Sequence, residues 1–86
     1  MVKKYRKKPI IVEAVQWTGN NYDEIFHFTQ GKCYLAYCCD DEELYIETLE
    51  GDMRAKEGSF IIKGKTGEFY PCRKEIFEQT YEEVKK

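Results

Sequence analysis

The sequence predicts a small α+β domain, with five to seven short strands in a curled antiparallel β-sheet or partly open barrel and one short helix. Its 86 residues suit a single domain. After Gly31 the hydrophobic side chains alternate with a period of two, which is typical of strands, and one earlier segment has a helical period. We therefore assign residues 9–86 to a single globular domain that follows a basic N-terminal arm, residues 1–8.

The first strand is predicted over Pro9–Trp17, because β-branched residues dominate this segment and a proline suits the start of a strand. Both faces of this strand are mostly apolar, which indicates a central strand or one that a helix covers. A helix from about Tyr22 to Gln30 follows. Asn21 is its expected N-cap, and Gly31 is the residue expected just beyond its end.

The remaining strands are separated by turn residues. They are predicted over residues 33–38, 44–49, 53–56, 59–63 and 68–72. Pro71 has no backbone N–H, so the last of these strands is expected at an edge of the sheet or to end there. The chain then forms one or two helical turns near Glu75, with Ile76 and Phe77 directed inward, and residues 80–84 extend as a terminal strand.

Charge is distributed unevenly between the arm and the rest of the chain. The arm holds five of the 14 basic residues and no acid, which leaves nine basic against sixteen acidic residues, a net charge of −7, in the other 78 residues. The isoelectric point near 5.4 argues against duplex nucleic acid as a partner. We expect the arm to be solvated and the acidic run Asp40–Glu43 to form a solvated loop.

Neither a membrane protein nor an enzyme is indicated. No apolar run approaches the roughly 20 residues of a membrane span, so we predict no membrane partner. The chain has one histidine, His27, and none of the common nucleophile, phosphate-loop or metalloprotease motifs. We predict no enzymatic activity and no cofactor, with catalysis through Cys72 or His27 as a third hypothesis.

The four cysteines predict free thiols rather than a metal site. Cys33, Cys38, Cys39 and Cys72 include no pair at the spacing of a zinc knuckle, and a reducing compartment keeps such thiols from forming disulfides. We expect Cys33 and Cys39 to pack in the core from one face of a strand, and no metal to bind.

The segment Lys63–Arg73 has the composition of a ligand-binding loop. Glycines let a backbone approach an anion closely, basic side chains neutralise phosphate, and aromatic rings stack on bases. The candidate ligand-binding residues are Trp17, Lys63, Lys65, Thr66, Tyr70 and Arg73. An ordinary exposed hairpin turn has the same Gly-Lys-Thr-Gly composition, and this alternative stays open.

Three stretches of the sequence carry a resemblance. They are residues 4–17, Lys-Tyr-Arg-Lys-Lys-Pro-Ile-Ile-Val-Glu-Ala-Val-Gln-Trp; residues 46–51, Ile-Glu-Thr-Leu-Glu-Gly; and residues 63–81, with Lys-Gly, Gly-Glu-Phe-Tyr-Pro-Cys and Ile-Phe-Glu-Gln-Thr-Tyr. Together they resemble a family of small bacteriophage and prophage proteins with a Pro-Gly-Asp-Tyr-Gly motif, for which residues 56–60 here retain the glycine and an aromatic residue. The resemblance implies an accessory phage protein in the bacterial cytoplasm, and it supplies no catalytic residue.

Two functions follow as hypotheses. The first is a binding module that sequesters a small anionic, nucleotide-derived molecule in an anti-defence role. Such a module would act as a homo-oligomer, since a site at a subunit contact doubles the phosphate donors of a short basic loop. The alternative is an interaction protein that inhibits a host protein through its acidic surface, partly by imitating nucleic acid. The segment Lys63–Arg73 favours the first, and the net charge outside the arm favours the alternative.

Overall fold

Strands account for just over half of the residues that the structure describes. The computed structural model describes residues 2–7, 10–38 and 41–83, which contain eight strands and two helices. In chain order the elements are β1 (Lys3–Lys7), β2 (Ile10–Gln16), α1 (Tyr22–Phe28), β3 (Cys33–Cys38), β4 (Asp41–Thr48), β5 (Gly51–Ala55), β6 (Phe60–Lys63), β7 (Phe69–Cys72), α2 (Lys74–Thr80) and β8 (Glu82–Glu83). The predicted α+β class is therefore confirmed.

The strands form two antiparallel sheets that do not close into a barrel. The first sheet has the order β7-β6-β2-β1-β8, and the second has the order β3-β4-β5. Six strands between residues 10 and 72 contribute three to each sheet, while β1 and the two-residue β8 extend the first. The predicted layout, one curled sheet or partly open barrel, is replaced by two sheets, because β3, β4 and β5 pair with one another. The helical turns expected near Glu75 form the second helix, α2.

Strand β2 lies in the middle of the first sheet, as its two apolar faces predict. It pairs with β1 on one side and with β6 on the other. Strand β7 lies at an edge, as Pro71 predicts, and β8 pairs with β1 as the expected terminal strand. The backbone of the basic segment Lys3–Lys7 thus belongs to the sheet, whereas the side chains of residues 4–8 lie outside what the structure describes.

Hydrophobic side chains pack on both sides of the first sheet. The inter-sheet core lies between the two sheets and consists of Val15, Trp17, Ile25, Cys33, Leu44, Ile46, Ala55, Ile61 and Phe69. The helix-side cluster lies on the opposite side and consists of Val12, Ala14, Phe60, Ile62 and Phe77. Alternation along the strands produces this division, since neighbours such as Ile61 and Ile62 point to opposite faces.

Helix α1 begins after Asn21, but the expected capping bond is absent. The Asn21 side chain makes no bond to a helical N–H; its Oδ1 accepts from the Thr18 N–H at 2.9 Å, and its Nδ2 donates to Glu24 Oε1 at 2.9 Å. At the other end, Gly31 has a φ of 84° and donates its N–H to the Phe26 carbonyl at 2.9 Å. Glycine tolerates this left-handed conformation. The helix ends at Phe28 with Thr29 as its C-cap, earlier than predicted, so Gln30, with a φ of 58°, takes the place after the cap that was expected for Gly31.

Helix α2 confirms the predicted helical turns near Glu75. Only one of the two side chains that were expected to point inward is buried. Phe77 is 1% exposed, whereas Ile76 is 54% exposed, because adjacent residues of a helix point in directions about 100° apart. The Phe77 ring stacks on Phe60 with centroids 4.0 Å apart and on Tyr81 with centroids 4.9 Å apart. Within the described residues, neither helix has the length to cross a membrane.

The acidic run is mostly strand rather than the predicted loop. Asp41, Glu42 and Glu43 are the first residues of β4, and Glu42 and Glu43 pair with Tyr37 and Ala36 of β3. Alternation places neighbouring residues of a strand on opposite faces, which separates their side chains more than a compact loop would. Asp40 lies outside the described residues.

Candidate functional site

The predicted ligand-binding residues do not share one surface. Trp17 follows β2, is 6% exposed and belongs to the inter-sheet core. Tyr70, in β7, packs against the helix-side cluster on the opposite side of the first sheet. A planar ligand therefore cannot stack on both rings at once.

Lys65 and Thr66 lie exposed in the turn between β6 and β7. The turn is closed by bonds from the Gly64 N–H to the Glu68 carbonyl, at 2.8 Å, and from the Gly67 N–H to the Gly64 carbonyl, at 3.1 Å. Gly67 has a φ of 90°, which glycine adopts without steric cost. This geometry is that of an ordinary hairpin turn, the alternative that the sequence leaves open.

Lys63 and Arg73 lie at opposite ends of the same hairpin. Lys63 is half-buried at the end of β6, opposite Phe69 of β7. Arg73 is exposed and is the N-cap residue of α2. The four residues of β7 span about 13 Å, so the turn residues and Arg73 are separated by the length of the strand.

Trp17 and Arg73 do line one cleft together. The cleft has a volume of about 390 Å³ and is formed by the segment after β2 and by residues of β4 and β5. Its charged lining residues are Glu42, Glu43, Arg54, Lys56, Glu57 and Arg73. Acidic and basic side chains are equal in number, so an anionic ligand would compete with carboxylates for the cations.

Tyr70 already has a protein partner for its hydroxyl group. Burial raises its pKa to about 12, and the hydrogen bond with Tyr81 acts in the same direction. The phenol therefore stays protonated at neutral pH and links β7 to the residue that follows α2. This contact is on the helix side, away from the cleft that Trp17 lines.

The second sheet presents a polar, aromatic face to solvent. Leu44 and Ile46 are buried in the inter-sheet core, so Tyr45 between them points away from it. Tyr34 of β3 lies directly opposite Tyr45, and their rings stack with centroids 5.4 Å apart and an interplanar angle of 8°. We call this surface the outer face; its members are Tyr34, Glu43, Tyr45, Glu47, Asp52 and Arg54.

Asp52 holds the stacked pair at one end. The Tyr34 hydroxyl donates to Asp52 Oδ2 at 2.7 Å. This hydrogen bond, with desolvation and the nearby negative charge, raises the pKa of Tyr34 to about 12. Glu47 lies across from Asp52 in the register of β4 and β5, so two carboxylates are adjacent next to the rings.

The outer face carries a net negative charge. Of the six strand residues named, three are acids and one is basic. Exposed Lys32, just before β3, lies opposite Glu47, whose N–H donates to the Lys32 carbonyl at 2.9 Å, and with it the net charge is −1. Arg54 Nη1 lies 3.1 Å from Glu43 Oε1, and within the described residues Glu47 and Asp52 have no ion-pair partner. The surface therefore combines a pair of parallel aromatic rings with two carboxylates that form no ion pair within the described chain.

Sequence analysis missed the outer face. The signal was present, because Tyr34 and Tyr45 each lie one position out of phase with the apolar residues of their strands. It was obscured by the expectation that β4 starts at Leu44, which left the register of the β3–β4 hairpin unassigned. The observed start at Asp41 pairs the tyrosines and brings Glu43 onto the same face.

The side chains considered for catalysis show little activation. Cys33 is buried, as predicted, and Cys72 is a half-buried thiol whose pKa is raised by burial, which disfavours the nucleophilic thiolate. His27 is exposed on α1, with its ring edge-on to Phe26. Cys39 lies outside the described residues, among which no three His, Cys, Asp or Glu side chains cluster as metal ligands.

Comparison with known proteins gives no match. Neither the protein-family models nor the curated proteins contain a match to this chain, and no solved structure matches it. Its functional interpretation therefore depends on the geometry of the outer face and of the cleft.

Proposed function

We propose that the protein is a non-enzymatic interaction module that binds a basic surface of a host protein through its outer face. The observation that supports this most directly is the parallel pair of Tyr34 and Tyr45 next to the carboxylates of Glu47 and Asp52. Two stacked rings flanked by negative charges offer the same kinds of contact as two stacked bases flanked by phosphates. A protein surface that binds nucleic acid is the class of partner that fits them.

The chemistry of the contact follows from the side chains. Arginine guanidinium groups stack on aromatic rings and form bidentate bonds with carboxylates, so one arginine-rich surface can use both features of the outer face. The excess of acids outside the N-terminal segment would increase the rate of encounter with such a surface. Binding would then occlude the partner's nucleic-acid site, which is how the module would inhibit it.

A competition assay tests this function. A fluorescent single-stranded oligonucleotide is bound to an oligo-arginine peptide, and the protein is added while fluorescence anisotropy is recorded. We expect the protein to displace the oligonucleotide, with an effect that weakens as salt is added. The double variant Glu47→Gln/Asp52→Asn should need about tenfold more protein for the same displacement, since loss of charge-assisted bonds costs about 1.5 to 3 kcal/mol.

The matched control is the double variant Glu75→Gln/Glu78→Gln. Both residues are exposed on α2, and the change in net charge is the same as for the outer-face variant. Equal weakening by the two double variants would assign the effect to overall charge and contradict the proposal. Failure of the unmodified protein to displace the oligonucleotide would contradict it as well.

Sequestration of a nucleotide-derived ligand is a second candidate, supported by the cleft that Trp17 and Arg73 share. Arg54 and Lys56 line the same cleft, so three cations could face a phosphate group. Calorimetry with linear and cyclic nucleotides tests it: Arg73→Ala should weaken binding, whereas Lys65→Ala, at the distant turn, should not. In this proposal the site is the cleft rather than the whole segment Lys63–Arg73.

Origin and assembly remain part of the proposal. An accessory phage protein of the bacterial cytoplasm, as the sequence resemblance implies, would meet host nucleic-acid-binding proteins there. A homo-oligomer would present several outer faces to one partner and raise the effective affinity without new contacts. No catalytic step is required for inhibition by occlusion.

A further inference from the structure

A groove of about 380 Å³ lies between the tip of the β4–β5 hairpin and strand β7. Leu49, Met53, Phe69 and Pro71 are among its lining residues. Leu49 is 85% exposed and Met53 is 44% exposed, so apolar surface is available at the rim, while Phe69 connects the groove to the inter-sheet core. The volume is within the range of about 300 to 1,000 Å³ that is usual for small-molecule sites.

The charged residues that line this groove are both acidic. They are Glu50 and Glu68, and none of the described residues that line the groove is basic. Glu68 Oε2 is buried and has no hydrogen-bond partner within the described part of the chain. An unpaired carboxylate oxygen is costly to bury, so a donor that reached it would bind favourably.

The turn between β6 and β7 holds the Glu68 side chain in place. Its carboxylate lies against Gly64, where a Cβ atom would overlap Oε1. The last torsion of a glutamate side chain is broad, so a modest rotation can turn Oε2 toward the groove. The glycine is thus required for the position of the acid rather than for an unusual backbone conformation.

We infer that this groove binds a small organic cation, a primary ammonium group attached to an apolar body. The apolar body would cover Leu49 and Met53, and the ammonium group would donate to the Glu68 carboxylate. Apolar walls with one well-placed charged group are typical of small-molecule sites. The groove and the outer face have no residue in common, so this inference is independent of the proposed function.

Titration with a matched pair of probes tests the inference. The probes are 2-phenylethylammonium and the neutral 2-phenylethanol, which are close in size and shape, and the readout is the shift of backbone amide signals by NMR. We expect the ammonium compound to shift amides of residues 48–53 and 68–70 and the alcohol to bind about tenfold to a hundredfold more weakly. Equal binding of the two probes, or no binding of either, would overturn the inference.

Variants then assign the two parts of the site. Glu68→Gln should weaken the ammonium probe about tenfold or more, whereas Glu75→Gln, an exposed acid on α2, should leave it unchanged. Leu49→Ser should weaken both probes and leave the fold intact, because Leu49 is 85% exposed. Gly64→Ala should act like Glu68→Gln by displacing the carboxylate. Unchanged binding in Glu68→Gln, or in both Leu49→Ser and Gly64→Ala, would show that the groove is not the site.

Discussion

The two sides of the first sheet are packed in different ways. The inter-sheet core has nine buried side chains, contributed by both sheets and α1. The helix-side cluster has five, and Phe77 is the buried residue of α2 that closes it. The second sheet packs against one side of the first sheet through many buried side chains. The seven-residue helix α2 packs against the other side through one buried aromatic ring, that of Phe77. We therefore expect α2 to open more readily than the two sheets.

Phe69→Ala should have the largest effect. Phe69 is 1% exposed in the inter-sheet core, and its ring lies edge-on to Phe28 with centroids 5.5 Å apart. Removing it should lower the free energy of unfolding by about 3 to 5 kcal/mol, measured by urea denaturation followed by circular dichroism. Leu49→Ala is the control, because this residue is 85% exposed and should change stability by about 0.5 kcal/mol or less. Equal effects of the two would contradict the assignment of the core.

Phe77→Ala should cost less, about 3 kcal/mol, because α2 can detach before the sheets unfold. Hydrogen exchange followed by NMR should show lost protection for amides of α2 and retained protection in β4 and β6. Ile76→Ala is the matched control on the same helix, with a side chain that is 54% exposed. If the amides of both sheets lose protection together with α2, the two sides of the first sheet form one cooperative unit and α2 does not open separately.

The smallest effect is expected from Tyr70 at alkaline pH. Its folded-state pKa of about 12 lies above the ordinary value of 10.0, so its contribution to stability is complete below pH 10 and is lost as the pH rises through 12. Tyr70→Phe should remove one tyrosine from the group that ionises near pH 12, measured by phenolate absorbance. Ionisation of Tyr70 changes its hydrogen bond with Tyr81, the residue after α2, so we expect α2 to loosen and its far-ultraviolet circular dichroism to weaken as the pH rises through 12. Tyr70→Phe should remove this alkaline loosening of α2.

Tyr34→Phe separates the two high-pKa tyrosines. Tyr34 also has a pKa of about 12, but it lies on the outer face, so its replacement should change the absorbance titration and leave the alkaline behaviour of α2 intact. Loosening of α2 that persists in Tyr70→Phe would instead assign that transition to another group.

Local patterns predicted the elements, and longer-range pairing decided their arrangement. The segment Pro9–Trp17 is apolar on both faces, and the structure places its strand in the centre of the first sheet. The pairing of Val15 with Ile61 joins segments far apart in the sequence, and no local pattern specifies it. The division into two sheets could not be predicted for that reason. The prediction that Ile76 and Phe77 both point inward is wrong for Ile76, because one or two helical turns have too few residues to define a face.

The candidate site shows the same limit. Trp17 and Tyr70 were predicted as ligand-binding residues because their aromatic rings can stack on a base. Amino-acid composition does not show on which side of a sheet each ring lies. The outer face depends on the register of one hairpin, which brings Tyr34 opposite Tyr45. Had the start of β4 been placed three residues earlier, the sequence would have predicted this pair.

Pro71 has a consequence for how the protein meets other copies of itself. It lies in β7, the outermost strand on its side of the first sheet, and it has no N–H to offer a neighbour. A strand from another molecule that approached this edge would find an interrupted ladder of donors, and such interruptions protect exposed edges from open-ended aggregation. Continuous sheets running from molecule to molecule are thus discouraged at β7, although its neighbouring groove remains open to small ligands.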